Sequence, residues 1–323
     1  MRISLKILPM TVLLYLAAIT NVSAAVDIEA ALAEFENGRA EQAIAMLTPH
    51  AEGYEVQLAL AKIYETIDLK EAGNWIEKAV AAQPDSAEVQ YQLGVIRGAQ
   101  AQNATFSALR LAKQSRKAFE RAIEIAPESP IYVRGLIGFH LTAPSIAGGD
   151  LGVAQRWAER LESLDPVQGL LAQANIARAQ KRYEDAIQIL EKGLATYERN
   201  PLLAFNAGLL YQEQQNLDAA FVLFEQASQD ADQENRITAF ASLYQVGRIA
   251  AVSGTHTERG IEALTTYLEA APAHEDLVPK PWAQFRLALL YDRDGRRAEA
   301  QTIYEQLKDT EDGRLRKEVR KKI

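Results

Sequence analysis

The strongest constraint on this chain is a spacing that occurs twice. In GLLYQEQQNLDAAFVLFEQA, Gly208, Tyr211, Ala220, Phe224 and Ala227 follow one another at intervals of 3, 9, 4 and 3 residues. LALLYDRDGRRAEAQTIYEQL sets Ala288, Tyr291, Ala300, Tyr304 and Leu307 at the same intervals. Intervals of 3 and 4 return a side chain to one face of an α-helix, so each motif reads as two helices joined across the interval of 9. Small residues at Gly208 and Ala220 let the two backbones approach closely, while Tyr211 and Phe224 fill the space between one pair and the next. A pair of this kind cannot bury its apolar faces alone, so copies must stack.

Further copies are legible along the chain. Leu60-Ala61, Tyr64, Ala72, Ile76, Ala79 and Pro84 make one; Leu93-Gly94, Phe119, Ala122 and Pro127 make another. KRYEDAIQILEKGL contributes Tyr183, Ala186, Leu190 and Gly193, and Val246-Gly247, Gly254, Gly260, Leu264, Tyr267 and Pro272 mark a further unit. ENGRAEQAIAML, around Gly38 and Ala43, opens the series, and HLTAPSIAGGDLGVAQRW (140–157) belongs to it through Gly149-Asp150 and Ala154. With these residues the chain resembles the tetratricopeptide repeat, a 34-residue helix–turn–helix. The resemblance implies an all-α, right-handed α-solenoid of about eight helix pairs over residues 26–308. Its structural positions are Gly94, Gly149, Asp150, Gly208, Tyr211, Ala220, Phe224, Ala288, Tyr291 and Ala300. The repeats are divergent, since Trp75, Trp157 and Trp282 do not fall at the consensus tryptophan.

Departures from the register are informative. Gly208 to Gly247 is 39 residues and Gly247 to Ala288 is 41, and the surplus is assigned to the polar stretches 228–236 and 272–281, as long turns where the array bends or grips a partner. The third unit carries about nine extra residues near 97–113, expected to lengthen its helices or its turn around Gln102–Thr105. The fourth carries Thr142–Ala147 as an insertion: Pro144 should stop the first helix and Asp150 should cap the second, beginning near Leu151. Gly-Gly-Asp here is followed by Leu151 and Gly152, not by the acidic and aromatic members of a diguanylate cyclase signature. No Lys-Ser/Thr follows to make a phosphate loop. The long helix followed by Ala-Pro…Gly-Gly is similar to a group of exported bacterial repeat proteins, a likeness that brings no activity with it.

Composition narrows the function. Cysteine is absent, which removes disulfides, thiolate metal sites, cysteine nucleophiles and a lipoprotein anchor. The net charge of −8 disfavours nucleic acid as a partner. His50, His140, His256 and His274 are scattered without metal-ligand spacing and read as surface or turn residues. No nucleophile elbow or Ser-x-x-Lys is present, so the reading is a non-enzymatic chain without cofactor or metal. At the N-terminus, Arg2 and Lys6 precede an apolar run from Ile7 to Ile19 and then Val22-Ser23-Ala24, the pattern of a signal peptide spanning 1–24 and cleaved after Ala24. A periplasmic location is expected; the alternative is an uncleaved anchor.

The inner face of such an array, lined by the first helix of each pair, is where tetratricopeptide proteins hold extended peptides. Projected onto this chain, that face presents Phe205, Asn206, Leu209 and Gln212, then Tyr244 and Arg248, then Trp282, Phe285, Leu289 and Arg293. Aromatics interleaved with Arg suit a peptide carrying carboxylates. Asn206 is similar to the asparagine of repeats that clamp chaperone C-termini, though the companion Lys and Asn positions are unmatched. The expected function is a scaffold or adaptor for a peptide segment or partner of a cell-envelope assembly. Two alternatives remain: an envelope enzyme with its site near the Pro144/Gly149 turn, and a self-associating structural subunit. Residues 309–323 read as a basic capping helix, with Leu315, Val319 and Ile323 in one row and Arg314, Arg316, Lys317, Arg320, Lys321 and Lys322 around it. An alternative docks that tail on anionic lipid.

Overall fold

A computed structural model describes residues 27–229, 232, 235–274 and 276–323. The expected leader, 1–24, lies outside the described residues. Among them are seventeen α-helices and no strands. They pair as α1 (Ile28–Glu36) with α2 (Ala40–Leu47), α3 (Tyr54–Ile67) with α4 (Leu69–Ala82), and α5 (Ala87–Asn103) with α6 (Ala108–Ile125). The series continues with α7 (Pro130–Thr142) and α8 (Leu151–Leu164), then α9 (Pro166–Ala179) and α10 (Tyr183–Thr196), then α11 (Pro201–Glu213) and α12 (Leu217–Ser228). It ends with α13 (Arg236–Ser253) and α14 (Thr257–Ala270), α15 (Lys280–Arg293) and α16 (Arg297–Leu307), and a last helix, α17 (Gly313–Val319). The chain is an all-α solenoid of eight helix pairs with a terminal cap.

Local chemistry explains where these helices begin. Asp68, Ser86, Asp165, Asn200 and Asn216 each accept a backbone N–H of the helix they precede. Proline sits in the first turn of α7, α9, α11 and α15, where its missing N–H leaves no bond unmade. Four pairs reverse through the same tight turn, with Gly38, Lys181, Gln215 and Gly295 in left-handed backbone one residue before the next helix cap.

The first helices of successive pairs, from α1 to α15, pack backbone to backbone along the array. Second helices stand further apart and meet through long side chains, such as Arg259 of α14 on Glu225 of α12, 2.9 Å away. The solenoid therefore closes around its first helices, which line the inner face. Small residues set the crossings: a Cβ at Gly208 would stand 2.8 Å from the Phe224 ring, and one at Gly94 2.7 Å from Phe119. Ala220, Phe224, Ala288 and Ala300 are fully buried. Tyr211 is half-buried against the same core and its hydroxyl donates to Glu191; Tyr291 lies under the Arg296 guanidinium, 3.9 Å away.

Three sequence expectations need correction. The surplus before Gly247 is not confined to a polar turn, because Gly247 stands four residues deeper in α13 than Gly208 does in α11. Nor is 272–281 free: Leu277 is buried, and the Tyr267 hydroxyl donates to the Val278 carbonyl. In the tail, the helix stops at Val319, so Leu315 and Val319 are buried while Ile323 is exposed beyond it. The extra residues of the third unit extend both α5 and α6 around a four-residue turn.

Candidate functional site

The inner face is shaped most distinctly where α9, α11 and α13 meet. Leu209 and Gln212 of α11, Arg248, Ile249 and Val252 of α13, and Arg178 of α9 line a cleft of about 480 Å³. Arg178 is anchored at its rim by an ion pair to Glu213, 2.6 Å long. Asn206 and Leu209 continue the lining toward Asn175 and Leu171 on α9. Leu209 thus offers an apolar floor between two polar neighbours.

The electrostatics of this strip come from two arginines on adjacent inner helices. Arg248 is half-buried; desolvation and the nearby charge of Arg286 lower its pKa from the ordinary guanidinium value. Its Nε donates to Gln245 Oε1 at 2.7 Å, and neither Arg248 nor Arg286 makes an ion pair among the described residues. Arg286 leans over Trp282 and Phe285, with its guanidinium carbon 6.0 and 5.8 Å from the ring centres. Two buried polar atoms lack partners here, Gln212 Oε1 and Arg286 Nε. Burying a donor or acceptor without a partner costs free energy that a bound carboxylate or amide would recover. Chemically the strip can receive a backbone-extended ligand with an apolar side chain on Leu209 and a negative group between the arginines.

The ten residues projected from the sequence divide into groups. Leu209, Gln212 and Arg248 come together in the cleft, and Phe205 and Leu289 are half-buried on the same face. Asn206 lines the adjoining gap, but its Nδ2 donates to Leu202 of its own helix at 2.8 Å. Tyr244 and Phe285 are corrections: they are 6% and 4% exposed, packed against Tyr267 and Tyr304, and support the face without being free to touch a ligand. Trp282 is turned toward the tail, its Nε1 donating to Asp312 at 2.8 Å, and Arg293 is exposed beside the α13–α14 turn at Gly254. Arg286 was missed. It lies one residue past Phe285 in the inner-face register, and its signal was being a cation flanked by the aromatics of α15.

The Pro144 turn is built from the groups that looked chemical. Ser145–Ala147 form a short 3-10 turn, Gly148 takes φ +100°, and Asp150 Oδ1 accepts from Gly152 N at 2.7 Å and Val153 N at 3.0 Å. A side chain at Gly149 would collide with the Ala143 carbonyl. His140 is not the surface or turn residue expected; it is 5% exposed on α7, edge-on to Phe139. Burial lowers its pKa, opposed by a bond to the Gly148 backbone. No group of three or more His, Asp or Glu able to hold a metal occurs among the described residues.

No family model matches the chain, and no curated protein matches it. Solved structures do. An IFIT1 chain solved with Gppp-AAAA superposes with a TM-score of 0.50 at 15% identity, over 90% of this chain and 70% of that one. A tetratricopeptide repeat protein from Parabacteroides merdae gives 0.49 at 13% identity over 81% and 96%, and Pseudomonas aeruginosa PilF 0.48 at 16% over 75% and 100%. At these identities the likeness is one of fold. That fold is the tetratricopeptide-repeat solenoid.

Proposed function

We propose that this protein is a non-enzymatic interaction scaffold of the cell envelope, which holds an extended, carboxylate-bearing peptide segment on its inner face. The observation that carries the reading is the strip from the cleft of Leu209, Gln212 and Arg248 to Arg286: an apolar floor, two like charges that form no ion pair among the described residues and two buried polar atoms left unbonded. Such a strip is costly in the empty protein and is relieved by a ligand of opposite charge. Export is part of the proposal, supported by the pattern of residues 1–24; the mature protein recovered from an envelope fraction should begin at Ala25 on N-terminal sequencing.

The peptide reading is tested by fluorescence anisotropy with a labelled peptide of alternating Leu and Glu. Arg248→Gln is expected to weaken binding at least tenfold, the scale of a lost charged hydrogen bond. Lys192→Glu, on exposed α10, should leave it unchanged. Equal losses in both variants, or none in Arg248→Gln, would refute the placement.

A further inference from the structure

The third and fourth units carry a feature that the inner face does not use. Residues 89–119 contain no Asp or Glu, in a chain with 43 of them, yet hold Arg97, Arg110, Lys113, Arg116 and Lys117. Residues 129–149 also lack an acidic side chain. The two stretches include the turns of the α5–α6 and α7–α8 pairs, and the 145–147 turn packs directly on α6. Arg97 pairs with Glu77 and Arg116 with Glu120, and the α7–α8 turn closes on Asp150. The positive surface is therefore the turn end of α6, through Arg110, Lys113 and Lys117, in a protein whose net charge is −8.

That end also protrudes and is apolar at its tip. Helix α5 runs nine residues past Gly94, whereas α11 runs five past the equivalent Gly208. Helix α6 opens eleven residues before Phe119, whereas α12 opens seven before Phe224. Both helices thus gain four residues at the turn, an overhang of about 6 Å. At its crest Phe106 is wholly exposed, with Leu109 40% and, on the neighbouring turn, Ile146 77% exposed. Phe106, Leu109, Arg110, Lys113 and Lys117 line one shallow surface, and Arg110, Lys113 and Lys117 make no ion pair among the described residues.

We infer that this overhanging tip docks on an anionic lipid surface. An aromatic side chain at a projecting crest enters the headgroup–acyl boundary, which lies about 5–10 Å deep, while cations set behind it remain at phosphate level. The overhang matches that depth. Apolar side chains on a convex crest have no pocket to fill on their own chain, and the unpaired cations select the charge of the surface they meet. No described helix is long and apolar enough to cross a membrane, and the contact is peripheral. It places membrane contact at neither the leader nor the tail, the two sites that sequence alone pointed to.

Vesicle co-sedimentation tests this with residues 25–323, the proposed mature protein, which contains every described helix. The expected result is binding to vesicles of phosphatidylcholine and phosphatidylglycerol in equal parts, and little to phosphatidylcholine alone. Phe106→Ser should lower the vesicle partition about tenfold, and Lys113→Glu with Lys117→Glu by at least as much, with far-UV circular dichroism unchanged. Replacing Arg320, Lys321 and Lys322 by Glu should have no effect. Phe106→Trp should shift its emission to the blue on adding anionic vesicles. The inference is overturned by equal binding to both vesicle types, by Phe106→Ser binding as the parent does, or by loss of binding in the tail variant. It is also overturned if soluble polyglutamate binds and the vesicles do not, which would make the patch a site for an acidic protein.

Discussion

At the scale of the residue, the repeated turn shows how little sequence identity the fold requires. Gly38 and Gly295 fill its left-handed position in the first and last units, while Lys181 and Gln215 fill it in between, each with φ +61°. A side chain with a Cβ is strained there by about 1–2 kcal/mol, part of which glycine returns as unfolded-state entropy. Gln215→Gly should therefore raise stability by about 1 kcal/mol in urea unfolding; a fall would mean that the Gln215 side chain contributes more than its backbone strain removes. His140 sets a pH limit by a different route. Burial places its folded-state pKa below the ordinary 6.5, with Arg116 lowering it further and Asp150 and Glu120 opposing. The fold prefers the neutral ring, so its contribution is complete above that ordinary value and is lost as pH falls through the folded-state pKa. The urea midpoint should drop between about pH 7 and pH 5, and His140→Gln should flatten that part of the profile.

At the scale of the element, the C-terminal helix closes an otherwise open end. Leu315 and Val319 of α17 are fully buried, sharing a cluster with Phe285, Tyr304 and Leu307, and Trp282 bonds to its cap Asp312. A chain ending at residue 308 leaves that surface in water, and hydrogen exchange should quicken in α15 and α16 with α3 to α10 unaffected. Protection unchanged in α15 would show that α17 merely rests on the array. The basic residues of this segment were visible in its sequence, and so was the Leu315–Val319 row. The end of the helix at Val319 was not, because a seven-residue helix is held by its packing and its cap, not by intrinsic propensity.

At the scale of the molecule, apolar contact passes from each unit to the next, and the core is a succession of clusters, each at a junction. Stability is then a sum of neighbour terms, so interior pairs with two neighbours outlast terminal ones. Amide exchange should be fastest in α1 and α2, whose nine and eight residues meet only one neighbouring unit, and slowest around α11 to α14. Uniform exchange would mark a single cooperative block. The same arithmetic explains why insertions are tolerated in the third and fourth units: the first lengthens α5 and α6 outward at the turn end, and the second forms a 3-10 turn that adds its own contact on α6, with Ala147 buried.

What the sequence determined by itself is the architecture. The intervals linking Gly208 to Ala227 and Ala288 to Leu307 are set by helical periodicity and close packing, both of which act over a few residues and are written locally. The count of eight pairs, the cap at Asp150 and the buried alanines followed from them. What only the tertiary structure decided is which side chains remain available. Tyr244 and Phe285 share the inner-face register with Arg248 and Leu289, yet are buried because neighbouring units bring Tyr267 and Tyr304 against them. Arg286 meets Arg248 because α13 and α15 lie side by side, and Phe106 stands clear because its helices outrun their neighbours. Availability depends on residues far apart in the chain, and no local pattern records it.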